Sequence, residues 1–125
     1  MKYRSVFDII GPVMVGPSSS HTAGAVRIGL VARDLFGRMP DAVDIYLYGS
    51  FMETYKGHGT DVALVAGLLG FDTDDSRIPK SLELAEEAGL QVNFIEMTEE
   101  KSHPNTVVLN MRSHDQQLSI EGISI

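Results

Sequence analysis

The chain has 125 residues, 43% of them hydrophobic, with a formal net charge of −7 and no cysteine. That is the size and apolar content of one compact domain, spanning 1–125, with a buried core. Without thiols it cannot form disulfides or build a thiolate-ligated zinc or iron–sulfur centre alone, and an acidic balance with no basic patch argues against a nucleic-acid footprint.

The sequence has no run of about 18 apolar residues, and Met1 to Arg4 is followed by only a few, so neither a membrane span nor a secretory leader is expected. A cytoplasmic protein is the resulting expectation. Acid concentrates in Asp72 to Asp75, Glu83 to Glu87 and Glu96 to Glu100, which reads as solvated loops and an exposed helix face.

In chain order, the first informative run is Gly16-Pro17-Ser18-Ser19-Ser20-His21-Thr22, which sets four hydroxyls and an imidazole directly before a helical pattern. Backbone N–H groups at a helix start lack intrahelical partners and carry partial positive charge, so an anionic group is stabilised there. Capping needs one hydroxyl. Three serines followed by His-Thr exceed that, leaving a helix cap or a ligand-binding loop as the two readings. From Ala23 to Met39, Val26, Ile28, Leu30, Val31, Leu35 and Phe36 recur at helical intervals, and the helix should end before Pro40.

Val43, Ile45 and Leu47 alternate with Asp44, Tyr46 and Tyr48, which predicts a strand stopped by Gly49. Thr60 to Leu69 is almost wholly apolar, a buried helix with Asp61 favourable in its first turn and Gly70 at its end. Pro79 can open a surface helix that turns Leu82, Leu84, Ala85 and Ala88 inward and stops at Gly89. Gln91 to Met97, Thr106 to Met111 and Gln117 to Ile125 read as strands, the last two joined by a polar turn at Ser113 to Gln116. Helix, strand, two helices and three strands make an α/β (α+β) fold, a mixed sheet packed with helices.

Two further groups carry chemistry. In Lys56-Gly57-His58-Gly59-Thr60-Asp61, glycines flank an imidazole that titrates near neutrality, Lys56 can pair with a carboxylate, and Thr60 is placed to cap the buried helix. The plain alternative is a Gly-rich loop with a surface histidine. His103-Pro104-Asn105-Thr106 stands just before a strand, where Pro stiffens the loop and Asn and Thr offer donors and acceptors; taken alone it is an ordinary turn. His114 reads as a solvated turn residue. The four histidines show no ligand spacing, so no metal site is expected from this chain, and Walker, dinucleotide and nucleophile-elbow motifs are missing.

Taken together, the Ser-Ser-Ser-His-Thr run, Gly49-Ser50-Phe51, the Lys56 to Asp61 loop and His103 to Thr106, in that order, resemble the beta chain of the bacterial iron–sulfur-dependent L-serine dehydratases. The resemblance covers nearly the whole chain. It implies a lyase that deaminates L-serine to pyruvate and ammonia in amino-acid degradation. The reaction uses a [4Fe-4S] cluster whose cysteines belong to an alpha chain, or to an alpha portion fused behind the beta portion, so this chain alone should be inactive. It also implies a fold like the allosteric substrate-binding domain of some phosphoglycerate dehydrogenases. The ACT regulatory domain that commonly follows is expected to be missing from this chain.

Carried over residue by residue, the resemblance makes His58 the best candidate for a catalytic role, with Thr60 and Lys56 beside it. Ser18, Ser19, Ser20, His21 and Thr22 become substrate contacts, joined by His103, Asn105 and Thr106. It leaves open which group removes the α-proton: a lysine or a serine hydroxyl from either chain would serve. The partners implied are the cluster-bearing alpha chain and L-serine, and a homo-oligomer through the buried helix or a sheet edge is a further expectation. The rival function is a non-catalytic allosteric serine-binding regulatory domain, in which the hydroxyl loop senses serine and transmits occupancy.

Overall fold

The computed structural model describes residues 12–15, 21–49, 59–98 and 105–124. The elements are β1 (Pro12–Val15), α1 (His21–Phe36), β2 (Ala42–Tyr48), α2 (Thr60–Leu68), a 3₁₀ turn (Ile78–Lys80), α3 (Ser81–Ala88), β3 (Gln91–Glu96), β4 (Asn105–Ser113) and β5 (Gln116–Ser124). The strands form one five-stranded sheet in the order β1-β5-β4-β2-β3. β1 is parallel to β5 and β2 to β3, whereas β4 is antiparallel to both of its neighbours. The fold is therefore a mixed sheet packed with helices, in agreement with the sequence pattern.

Strand alternation decides which face the helices cover. Val43, Ile45 and Leu47 of β2, Val107, Leu109 and Met111 of β4, and Leu118 and Ile120 of β5 are buried on one face. They join Ala25, Val26, Ile28, Ala32 and Phe36 of α1 and Ala63 to Ala66 and Leu68 of α2 in a single hydrophobic cluster. Along α1, Ala25, Ile28, Ala32 and Phe36 recur every three or four positions, the stripe of an amphipathic helix, with Val26 and Gly29 buried beside them, while Arg27, Asp34 and Leu35 face outward. Helix α2 is apolar nearly all round and buried on most of its surface.

The two helices cross at glycine on glycine. A Cβ on Gly67 would lie 2.7 Å from the Gly29 Cα and from the Leu30 nitrogen and closer still to the Val26 carbonyl; one on Gly29 would lie 2.9 Å from the Gly67 Cα and from the Leu68 nitrogen. Only hydrogen at both positions lets the backbones approach this far. Helix α1 stops at Phe36 because Gly37 turns left-handed (φ 97°) and donates to the Arg33 carbonyl at 2.9 Å, three residues before the expected end at Met39.

Two other expectations need correction. Pro79 lies in the 3₁₀ turn rather than opening α3, which begins at Ser81, whose hydroxyl donates to the Ile78 carbonyl at 2.7 Å. The inward face therefore starts from Ser81 and runs through Ala85, leaving Leu82 39% exposed and Ala88 exposed, whereas both were expected inside. The second is β1, a four-residue strand that the pattern did not reveal.

On the sheet face away from the helices, Asp44 accepts from Arg112 at 2.7 Å and from the Asn93 amide at 3.0 Å. Arg112 foremost, then the Asn93 amide, holds the Asp44 carboxyl below its ordinary value, with burial opposing both. Because the folded value lies below the unfolded one, the contribution is whole above about pH 4 and is lost as pH falls through the lowered value. Both partners keep some solvent contact, so Asp44→Asn should cost about 0.5–1 kcal/mol near neutrality. Urea midpoints measured from pH 6 to pH 2 should show that difference closing at the acid end; a pH-independent gap would contradict the pairing.

The 71–77 loop is held by the Arg77 guanidinium, 2.8 Å from the Asp75 carboxylate and 4.1 Å from the Phe71 ring centroid. The guanidinium, together with the Arg77 backbone N–H, keeps the Asp75 carboxyl down at about 2.

Candidate functional site

Strand direction sets where the motif-bearing connections begin. Since β1, β2, β3 and β5 run the same way and β4 runs against them, the last residues of the four and the first of β4 share one edge of the sheet. Across that edge Val15 is opposite Ser124, Thr106 is opposite both Ile123 and Tyr48, and Leu47 is opposite Glu96. The connections 16–20, 49–59 and 97–104 all begin there. They carry the Ser-Ser-Ser run, the Lys56 to Gly59 stretch and the His103-Pro104 pair. Ligand sites of open sheets with parallel strands commonly form outside the strands' carboxyl ends.

Each candidate residue takes its place relative to that edge. His21 and Thr22 are the first two residues of α1, not loop residues preceding it, so the serines alone stand before the helix. Five residues, 16–20, link Val15 to His21 and keep the helix start close to the strand end. Thr60 is the first residue of α2 and fully buried; the cap position belongs to Gly59, left-handed at φ 77°, with no side-chain cap bond. The expected Thr60 cap is thus replaced by a glycine turn, because glycine adopts that backbone without a Cβ penalty. The Asp61 carboxylate accepts from the Val62 N–H at 2.8 Å at the same helix start.

Thr106 is fully buried at the second position of β4, and Asn105 is the first. Ser18, Ser19, Ser20, Lys56, His58 and His103 lie outside the described residues. Tyr48, at the end of β2 and only 8% exposed, was not singled out from the sequence as a site residue. The available signal was its position, an aromatic strand residue immediately before Gly49.

The other polar features sit elsewhere. Arg38 reaches Asp115 at 3.0 Å and Ser113 at 2.8 Å beside the β4–β5 turn, at the opposite edge, where His114 is exposed as expected of a turn residue. There the Ser113 hydroxyl, more than the Arg38 charge, lowers the Asp115 carboxyl. A groove between α3 and β3, lined by Leu82, Glu86, Leu90, Val92 and Phe94, holds none of the motif residues. Among the described residues no three His, Asp or Glu side chains are grouped to hold a metal ion. With no thiolate in the sequence either, the donors present do not fit an iron–sulfur cluster on this chain.

The family model described as the serine dehydratase beta chain matches residues 5–119. The chain is 58% identical over 125 residues to the "Probable L-serine dehydratase, beta chain" of Bacillus subtilis (strain 168), covering 100% of this chain and 57% of that one. It is 53% identical over 106 residues to the "L-serine dehydratase, beta chain" of Peptoniphilus asaccharolyticus, covering 82% of this chain and 47% of that one. To "L-serine dehydratase 2" of Escherichia coli (strain K12) it is 44% identical over 72 residues, 53% of this chain and 15% of that one. The chain spans about half the length of the two beta chains it matches. No described helix is long and apolar enough to cross a membrane. With the motif-bearing connections beginning at one sheet edge and a family model that matches nearly end to end, the chain belongs to the serine dehydratase beta chain family.

Proposed function

We propose that this chain is the substrate-gripping portion of an L-serine dehydratase, working in an assembly with a cysteine-bearing alpha chain that holds a [4Fe-4S] cluster. The observation that carries this reading is the shared edge from which the three motif-bearing connections depart and at which β4 begins. L-Serine offers a carboxylate, an ammonium and a β-hydroxyl. Deamination requires the first two to be held still while the α-proton and the hydroxyl leave. Hydroxyl and amide groups of Ser18 to Ser20, Thr22, Asn105 and Thr106, with the imidazoles of His21 and His103, suit the holding. His58, with Lys56 and Thr60 beside it, suits the proton transfer.

The names of the relatives and the beta-chain family support the substrate and the division into two chains. The absence of cysteine supports placing the cluster on the partner.

The test is anaerobic assembly with the reconstituted alpha chain, followed by pyruvate formation from L-serine. Ser19→Ala and Ser20→Ala should each raise KM about tenfold while kcat stays within twofold, because they remove binding common to ground and transition states. Unchanged KM in both removes the serine run from the site. Calorimetry of L-serine against the chain alone separates the regulatory reading, since clear heat without the partner favours a self-contained sensor and none favours a shared site.

A further inference from the structure

The sheet face away from the helices is buried in an unexpected order. Near the strand middles Asp44, Tyr46, Asn110 and Ser119 are only half-buried, yet at the rim, where hydration should be greatest, Tyr48 is 8%, Thr106 0% and Ile123 4% exposed. Tyr48 and Thr106 are partners in direct antiparallel register, and both alternate with core residues, Leu47 and Val107, that point the other way. Residues directly opposite on one face have Cβ atoms about 4.5–5.5 Å apart, and an aromatic ring beside a β-branched side chain is a favourable cross-strand pair. Threonine has few χ1 choices, so a ring against its methyl group leaves the hydroxyl one direction.

We infer that Tyr48 is a positioning residue of the serine site, acting through Thr106. Its ring fixes the threonine rotamer, and the rotamer aims the hydroxyl at the substrate. The inference rests on reading Thr106 as a substrate contact. It assigns the work to the ring rather than the phenol hydroxyl, and to binding rather than proton transfer.

The experiment uses the anaerobically assembled complex with its alpha chain and reads KM and kcat for L-serine beside the melting temperature. Tyr48→Leu should raise KM about tenfold with kcat within twofold, and Tyr48→Phe, which keeps the ring, should restore a KM near that of the wild type. Thr106→Ser keeps the hydroxyl but frees its rotation, so it should raise KM as Tyr48→Leu does. The double variant Tyr48→Leu/Thr106→Ser should be no worse than either single one. If Tyr48→Leu melts too low to assay, Thr106→Ser carries the test alone, and an unchanged KM there overturns the inference. So does an unchanged KM in Tyr48→Leu, or a Tyr48→Phe as impaired as Tyr48→Leu. Thr106→Val tells the failures apart: no effect removes Thr106 from the site and takes the underlying reading with it, whereas a raised KM leaves that reading standing.

Discussion

Gly67→Ala is expected to destabilise the fold by about 3 kcal/mol or more, at the upper end for overpacking, because the new methyl group meets main chain on every side. Its neighbours are the Gly29 Cα, the Leu30 nitrogen and the Val26 carbonyl, none of which can rotate aside as a side chain would. The helices must therefore separate, and separation opens the cluster that joins α1, α2 and the sheet. Gly37→Ala and Gly89→Ala are the controls: nothing lies within 4 Å of either new methyl group, and only the left-handed backbone (φ 97° and 88°) opposes them, at about 1 kcal/mol. Gly29→Ala should resemble Gly67→Ala, and the double variant should cost less than the sum, since one displacement accommodates both methyl groups. Urea unfolding followed by circular dichroism measures all five variants. Equal midpoints for Gly67→Ala and Gly37→Ala would show that the crossing is looser than its geometry.

His58→Ala, in the complex with the alpha chain, is expected to lower kcat by about 100-fold or more, the range for losing a positioned acid or base. Its position in the sequence carries the argument: it is covalently next to Gly59, whose left-handed turn starts α2 in the connection that leaves β2 at the motif edge. A proton-transfer group should leave KM within a few-fold and remove one limb of the pH–rate profile, whereas a purely binding imidazole would raise KM and leave the profile alone. Near-normal turnover takes His58 out of the chemistry.

The sequence made the sheet-and-helix architecture legible because its periods are clean. β2 alternates from Ala42 to Leu47, α2 is apolar enough to be recognised as buried, and Gly70 and Gly89 both turn left-handed (φ 92° and 88°) just past their helices. Where the reading failed, a longer-range effect had displaced a local signal. Pro12 to Val15 is too short to show a period, and it becomes a strand through its parallel pairing with the end of β5, a partner more than a hundred residues along the chain. Pro79 is a fair helix opener by propensity, but the turn it enters is closed by the Ser81 hydroxyl, which moves the start and rotates Leu82 outward.

For the candidate site the sequence supplied residue types and order, but not the shared sheet edge at which the connections carrying them begin. That follows from strand direction, which depends on pairings between distant segments. Tyr48 escaped notice for the same reason, since its register with Thr106 and its burial, which set it apart from the half-buried Tyr46, are not written in the local pattern.

Because β4 runs against its neighbours, the β4–β5 turn at 114–115 sits a strand's length away from the sheet edge at which the motif-bearing connections begin. Seven steps from Thr106 to Ser113 amount to about 24 Å of extended chain. A fluorophore or affinity handle built into that turn would report on the molecule from its remote rim without crowding the edge proposed for the serine site.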